Sequence, residues 1–153
     1  MQLTQKESSL IKDLKGQEQL CIDKYTKHAE CACDPQLKVL FNAIADVERS
    51  HMSTLNSMEN GTVPNMNGGG TSPTVPKTFT ATYGSGDEQN KKNDFFLCSD
   101  LLTTEKHASH LYDTCVFEFK DESARNVLNH IQKEEQQHGK AIYDYMQKNS
   151  MYS

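Results

Sequence analysis

Apolar residues recur at alternating three- and four-residue steps through two long stretches of the chain, which is the rhythm of amphipathic helices. Between them, Glu59 to Lys92 reads ENGTVPNMNGGGTSPTVPKTFTATYGSGDEQNKK and loses that rhythm. It holds most of the glycines and three of the four prolines, as a long connection does. Capping chemistry divides each flank in two. Asp34 before Pro35 is an N-cap followed by proline at the first helical position, where the missing N–H costs nothing. Asp121 before Glu122 is a second N-cap with an acidic first turn that suits the helix dipole.

These signals predict helices over about 4–32, 35–58, 92–119 and 122–148. They form one helical hairpin over about 4–58, an irregular crossover over about 59–91 and a second hairpin over about 92–148. The expected fold class is all-α, a four-helix bundle of two antiparallel hairpins joined by a long crossover, forming a single domain over 1–153.

The two halves also resemble each other without a gap at an offset of 87 positions. Leu10 matches Leu97, Leu14 matches Leu101, Glu18 matches Glu105, Tyr25 matches Tyr112, Asp34 matches Asp121, Glu48 matches Glu135 and His51 matches His138. Two unrelated amphipathic hairpins would match somewhat, but here caps, core positions and ionisable residues match together. We read a diverged internal repeat.

The candidate chemistry lies on the apolar stripes. Helix 1 presents Leu10, Leu14, Glu18, Cys21, Tyr25, His28 and Ala32; helix 2 presents Leu37, Phe41, Ile44, Glu48, His51, Leu55 and Met58. Helix 3 presents Cys98, Leu101, Glu105, Ala108, Tyr112, Cys115 and Phe119; helix 4 presents Ala124, Leu128, Ile131, Glu135, His138, Ile142 and Tyr145. In every stripe a glutamate stands where an apolar residue belongs. Glu18 and Glu48 each lie about 15 residues from the first hairpin turn, roughly 20 Å along a helix, and Glu105 and Glu135 repeat that spacing around Asp121. With His51 and His138 one turn further on, six side chains can meet in one mid-bundle layer.

Four carboxylates in an apolar interior need protons or a counter-charge, because each would otherwise lose several kcal/mol on desolvation. No Lys or Arg lies on the stripes. Two divalent cations would balance four carboxylates, with the neutral imidazoles as nitrogen ligands. A Glu from each of two helices plus Glu-x-x-His from the other two is the ligand set of di-iron and di-manganese carboxylate bundles. The expected metal ligands are therefore Glu18, Glu48, His51, Glu105, Glu135 and His138, holding two divalent ions, iron first and manganese second. A single Glu-x-x-His is common on solvated helix faces; two such pairs, each with a glutamate 30 positions upstream, are not. Beyond the ligands no catalytic residue is identified.

Other residues keep two readings. Tyr25 and Tyr112 are either hydroxyl donors to the ligands or plain core tyrosines. His28, His107, His110 and His130 are expected at the surface or rim. Tyr143, Tyr145, Met151 and Tyr152 either cap the bundle or meet a partner.

Composition narrows the function classes. The 153 residues carry 16 Lys+Arg against 21 Asp+Glu, a formal net charge of -5, and the basic residues are scattered, which argues against nucleic-acid binding. No apolar run reaches the roughly 18 residues of a membrane span, and Met1 to Glu7 lacks an apolar signal stretch, so no membrane association and cytoplasmic synthesis are expected. Five cysteines without a Cys-x-x-Cys pair argue against a complete disulfide framework or a thiolate zinc site; reduced thiols are expected.

The pattern Glu18, Glu48-x-x-His51, Glu105, Glu135-x-x-His138 resembles the ferritin-like superfamily of rubrerythrins and bacterioferritins. Asp100-Leu101-Leu102-Thr103-Thr104-Glu105-Lys106-His107 through Tyr112, Glu134-Glu135-Gln136-Gln137-His138, and Asp144-Tyr145-Met146-Gln147-Lys148 ending in Met151-Tyr152 more narrowly resemble the spore coat F family of endospore-forming Firmicutes. That resemblance implies a ferritin-like fold, spore coat localisation, and other coat proteins or a second copy of the chain as partners. It also implies Glu48 and Glu135 as bridging ligands. Ala108 stands where rubrerythrins carry an additional glutamate. The implied function is a coat F-type protein retaining a carboxylate-bridged di-metal site. The alternative is a di-iron oxidase, peroxidase or ferroxidase that reduces dioxygen or peroxide.

Overall fold

The computed structural model of the chain describes residues 1–66 and 73–152. The described residues form four helices: α1 (Gln5–Cys31), α2 (Pro35–Glu59), α3 (Glu88–Glu118) and α4 (Glu122–Lys148). Among the described residues there is no strand, and no helix is long and apolar enough to cross a membrane.

The caps explain where the helices begin. Thr4 accepts from the Glu7 backbone N–H while the Glu7 carboxylate accepts from the Thr4 N–H, a capping box on α1. Asp34 caps α2 through the Gln36 N–H with Pro35 in the first turn, and Asp121 caps α4 through the Ala124 N–H. The expected start of α3 near 92 is wrong by about one turn. The helix begins at Glu88, because the polar run Glu88–Lys91 belongs to its exposed first turn rather than to the connection.

α1 packs along α2 and α3 along α4, so the chain forms two antiparallel hairpins laid against each other. Two apolar clusters fill the bundle. One, toward the α1–α2 turn, gathers Tyr25, Leu37, Leu40, Phe41, Leu101, Ile142 and Tyr145. The other, toward the α3–α4 turn, gathers Ile11, Leu14, Leu55, Tyr112, Phe119 and Leu128. The glutamates and histidines of the stripes lie between them.

The crossover does more than connect. Its described residues pack on the bundle, with Val63 against the second cluster and Val75, Phe79 and Tyr83 against the first. Thr80 exchanges two hydrogen bonds with the Gln36 amide, and the Thr82 N–H donates to Asn149 Oδ1. Gly61 takes a left-handed φ of 84° where a Cβ would stand 2.7 Å from the Met1 carbonyl oxygen, so no larger residue fits there.

The crossover's last segment is clasped by a buried polar network. Asp94 on α3 accepts from the backbone N–H groups of Cys33 and Asp34 and, at 2.5 Å, from the Tyr83 hydroxyl. Tyr83 also meets the Tyr145 hydroxyl at 2.8 Å, and Tyr145 donates to Asp34 at 2.6 Å. This ties the first hairpin turn, the crossover, α3 and α4 together. Of the residues with two readings at the C-terminal end, Tyr145 and Met151 cap the bundle from within, while Tyr152 stays exposed and stacks edge-on against Tyr143.

Candidate metal centre

Glu18, Glu48, His51, Glu105, Glu135 and His138 are all brought together, each 2% exposed or less. They form two overlapping clusters, Glu18, Glu48, His51 and Glu135, and Glu48, Glu105, Glu135 and His138. In each cluster one potential ligand atom per residue lies within 4.8 Å of the others.

Glu48 and Glu135 belong to both clusters, and their oxygens are shared out between the two histidines. Glu48 Oε1 lies 3.0 Å from His138 Nδ1 and Glu48 Oε2 lies 3.3 Å from His51 Nδ1. Glu135 Oε1 lies 2.9 Å from His51 Nδ1 and its Oε2 lies 3.8 Å from His138 Nδ1. Each therefore spans the gap between the imidazoles, whose centroids are 6.0 Å apart with planes inclined by 24°.

Glu18 and Glu105 sit at opposite ends of this arrangement and are each held by a tyrosine of the other hairpin. Tyr112 donates to Glu18 Oε1 and Tyr25 to Glu105 Oε1, both at 2.5 Å. The expected choice for these tyrosines resolves toward hydroxyl donors, and the reciprocal exchange is what the internal repeat requires. In each case the second oxygen is left free.

The donor set tests whether a cation fits. Glu18 Oε2, Glu105 Oε2 and both oxygens of Glu135 are buried without a hydrogen-bond partner, since the close approach of His51 to Glu135 lacks hydrogen-bond geometry. Buried carboxylate oxygens left without a partner are costly. They are what a pair of hard divalent ions would use, with one imidazole nitrogen per ion. The residues fit such ions.

Without a cation the layer has to share protons. Burial, then repulsion from Glu105, pushes the Glu48 carboxyl up to about 7. Burial, then the charge of Glu135, pushes Glu105 up to about 8. Burial, then the charge of Glu48, also acts upward on Glu135, but the close polar approach of Glu105, His138 and His51 outweighs both and leaves this carboxyl below its usual range. Burial disfavours the charged imidazoles, yet the surrounding carboxylates win and both His51 and His138 hold a proton well above the ordinary histidine range. The layer thus offers protons to be displaced when cations arrive.

Two residues of this environment escape sequence reasoning. Glu134 lies behind His51, with Oε1 3.3 Å from Nε2, and it also meets His130 Nε2 at 2.9 Å. His130 sits at the rim as expected, its side chain 40% exposed, and pairs with Glu134 there. His28 likewise is half-buried and bonds Asp100 at 2.8 Å, whereas His107 and His110 are exposed as expected. Cys21 is buried beside the cluster, where desolvation and then the four glutamates push its thiol far up, so it is inert as a nucleophile. Cys31 and Cys33 are exposed, and all five thiols are free.

Half of this layer falls in a segment with a recognisable relative. Residues 93–153, spanning most of α3 and all of α4, match the Coat F domain. Over this segment the chain is similar to the Coat F domain. Glu105, Glu135 and His138 lie within that domain, and Glu18, Glu48 and His51 are supplied by the hairpin that precedes it. No curated protein and no solved structure matches the chain.

Proposed function

We propose that this protein is a Coat F-type component of the spore coat that retains a carboxylate-bridged two-metal centre, with iron as the preferred metal and manganese as the other candidate. The coat assignment is supported by the Coat F domain at 93–153. The metal reading rests on one observation above the others: two buried ligand clusters share Glu48 and Glu135, and four carboxylate oxygens among them have no hydrogen-bond partner.

Glu48 and Glu135 would bridge the ions, Glu18 and Glu105 would each close one end, and His51 and His138 would supply a nitrogen apiece through Nδ1. Tyr25 and Tyr112 would orient the two terminal carboxylates by holding Oε1 of each, which leaves Oε2 without a partner and available to an ion. When bound, such a metal pair supplies redox chemistry toward dioxygen or peroxide. In the coat reading other coat proteins or a second copy of the chain are the partners, and the centre serves a protein that assembles.

A second reading, a di-iron oxidoreductase, is favoured by a cavity of about 250 Å³ that reaches His138 from the surface. Fractionation of sporulating cells separates the two. Recovery from purified spore coats, with normal assembly of a Glu105→Ala variant, supports the coat reading. Recovery only from vegetative extract, with metal-dependent consumption of dioxygen or peroxide that Glu105→Ala abolishes, would reverse it.

A further inference from the structure

The internal repeat makes the two halves of the centre equivalent in their ligands but not in what stands behind them. Behind His51 stands Glu134, its Oε1 3.3 Å from His51 Nε2 and 2.9 Å from His130 Nε2. The repeat offset of 87 places Val47 opposite Glu134 and Ala43 opposite His130. The second hairpin's glutamate therefore backs the first hairpin's histidine, and the first hairpin returns only a valine.

The consequence is visible at His138. Its Nδ1 faces Glu48, Glu105 and Glu135, and among the described residues its Nε2 has no hydrogen-bond partner. Val47 and His138 instead line a cavity of about 250 Å³ under residues 73–77 of the crossover, together with Val75, Gln137 and Ala141. Glu134 reaches the same cavity, but its contacts are to His51 and His130.

We propose that the two metal positions are unequal: the position held by His51 is closed and tight, and the position held by His138 is the exchangeable one, reached from the surface through the cavity beneath the crossover. This rests on the two-metal reading above. A carboxylate accepting from Nε2–H fixes the imidazole so that Nδ1 presents its lone pair to the ion and makes that nitrogen more basic. Loss of such a partner typically lowers metal affinity about 10–100-fold. His51 has that partner and His138 has a valine and an opening.

The test is an anaerobic titration of chelator-stripped full-length protein with Co(II), followed by calorimetry and by competition with a chromophoric chelator. The wild type should fill in two steps whose affinities differ about 10–100-fold. Anomalous diffraction from crystals given one equivalent should place the ion on the His51 side. Val47→Glu, which puts a carboxylate behind His138, should bring the two steps together. Glu134→Gln, a near-isosteric change checked by an unaltered helical spectrum, should weaken the tight step about tenfold and leave the weak step in place. Two ions bound with one affinity in the wild type, or first occupancy on the His138 side, would overturn the inference while leaving the two-metal reading standing. No binding at either position would overturn that reading, and this inference with it.

Discussion

Glu105→Gln in the metal-free protein should be more stable than the wild type at alkaline pH, although it removes a ligand. In the folded apo protein burial and Glu135 raise the Glu105 carboxyl from 4.5 to about 8. A carboxyl that binds its proton more tightly folded than unfolded adds no penalty below about pH 4.5, where both states are protonated. Its penalty then grows until the folded group ionises near pH 8. At about 1.36 kcal/mol per pH unit the full difference is roughly 5 kcal/mol. Glutamine is neutral at every pH and avoids that penalty. The substitution also removes a carboxylate 3.4 Å from His138 Nδ1, which offsets part of the gain. The expected advantage is therefore about 2–5 kcal/mol at about pH 9 and close to zero at about pH 5.5. Urea unfolding followed by far-UV circular dichroism, in chelator, measures it. A variant as destabilised at alkaline as at acid pH would refute the argument that the empty layer holds a raised carboxyl.

The wild-type apo protein should lose stability as pH rises from about 4.5 to about 8, because folded Glu48 and Glu105 hold protons up to about 7 and 8 that the unfolded chain has released, and the raised histidines continue the loss above 6.5. Metal-loaded protein should show the opposite trend in this range, since binding displaces protons; differential scanning calorimetry across pH with and without chelator compares them. Tyr83→Phe removes the hydroxyl shared by Asp94 and Tyr145 and should cost about 1–2 kcal/mol in chemical unfolding, with metal stoichiometry unchanged. Trypsin should cut first at Lys77, the one Lys or Arg between Arg49 and Lys91, which is exposed and outside any helix, and the fragments 1–77 and 78–153 should stay associated through the bundle.

The ligands were legible because each glutamate interrupts an apolar stripe at a fixed distance from a turn, and one-dimensional periodicity carries that signal. Tyr25 and Tyr112 were visible as candidates for the same reason, but their crossed hydrogen bonds depend on how the hairpins face each other. The start of helix α3 at Glu88 is not legible in the sequence because Glu88–Lys91 is polar on every side, and polarity alone does not separate an exposed first turn from a loop. The packing role of Val75, Phe79 and Tyr83 was hidden because isolated apolar residues in a proline-rich stretch have no period to read. Glu134 and His130 could have been noticed only by asking where the repeat fails, since the offset pairs them with Val47 and Ala43.

The central claim is that the mid-bundle layer is a two-metal centre, and anomalous X-ray diffraction from crystals of Fe(II)-loaded protein, grown without chelator or oxygen, tests it most directly. The account requires two anomalous peaks per chain between Glu48 and Glu135, one beside His51 Nδ1 and one beside His138 Nδ1, with Glu18 and Glu105 at the two ends. It also requires that both peaks vanish in a Glu48→Gln, Glu135→Gln double variant that keeps its helical spectrum. Crystals that bind iron elsewhere, or whose layer stays free of metal at saturating Fe(II), would contradict it.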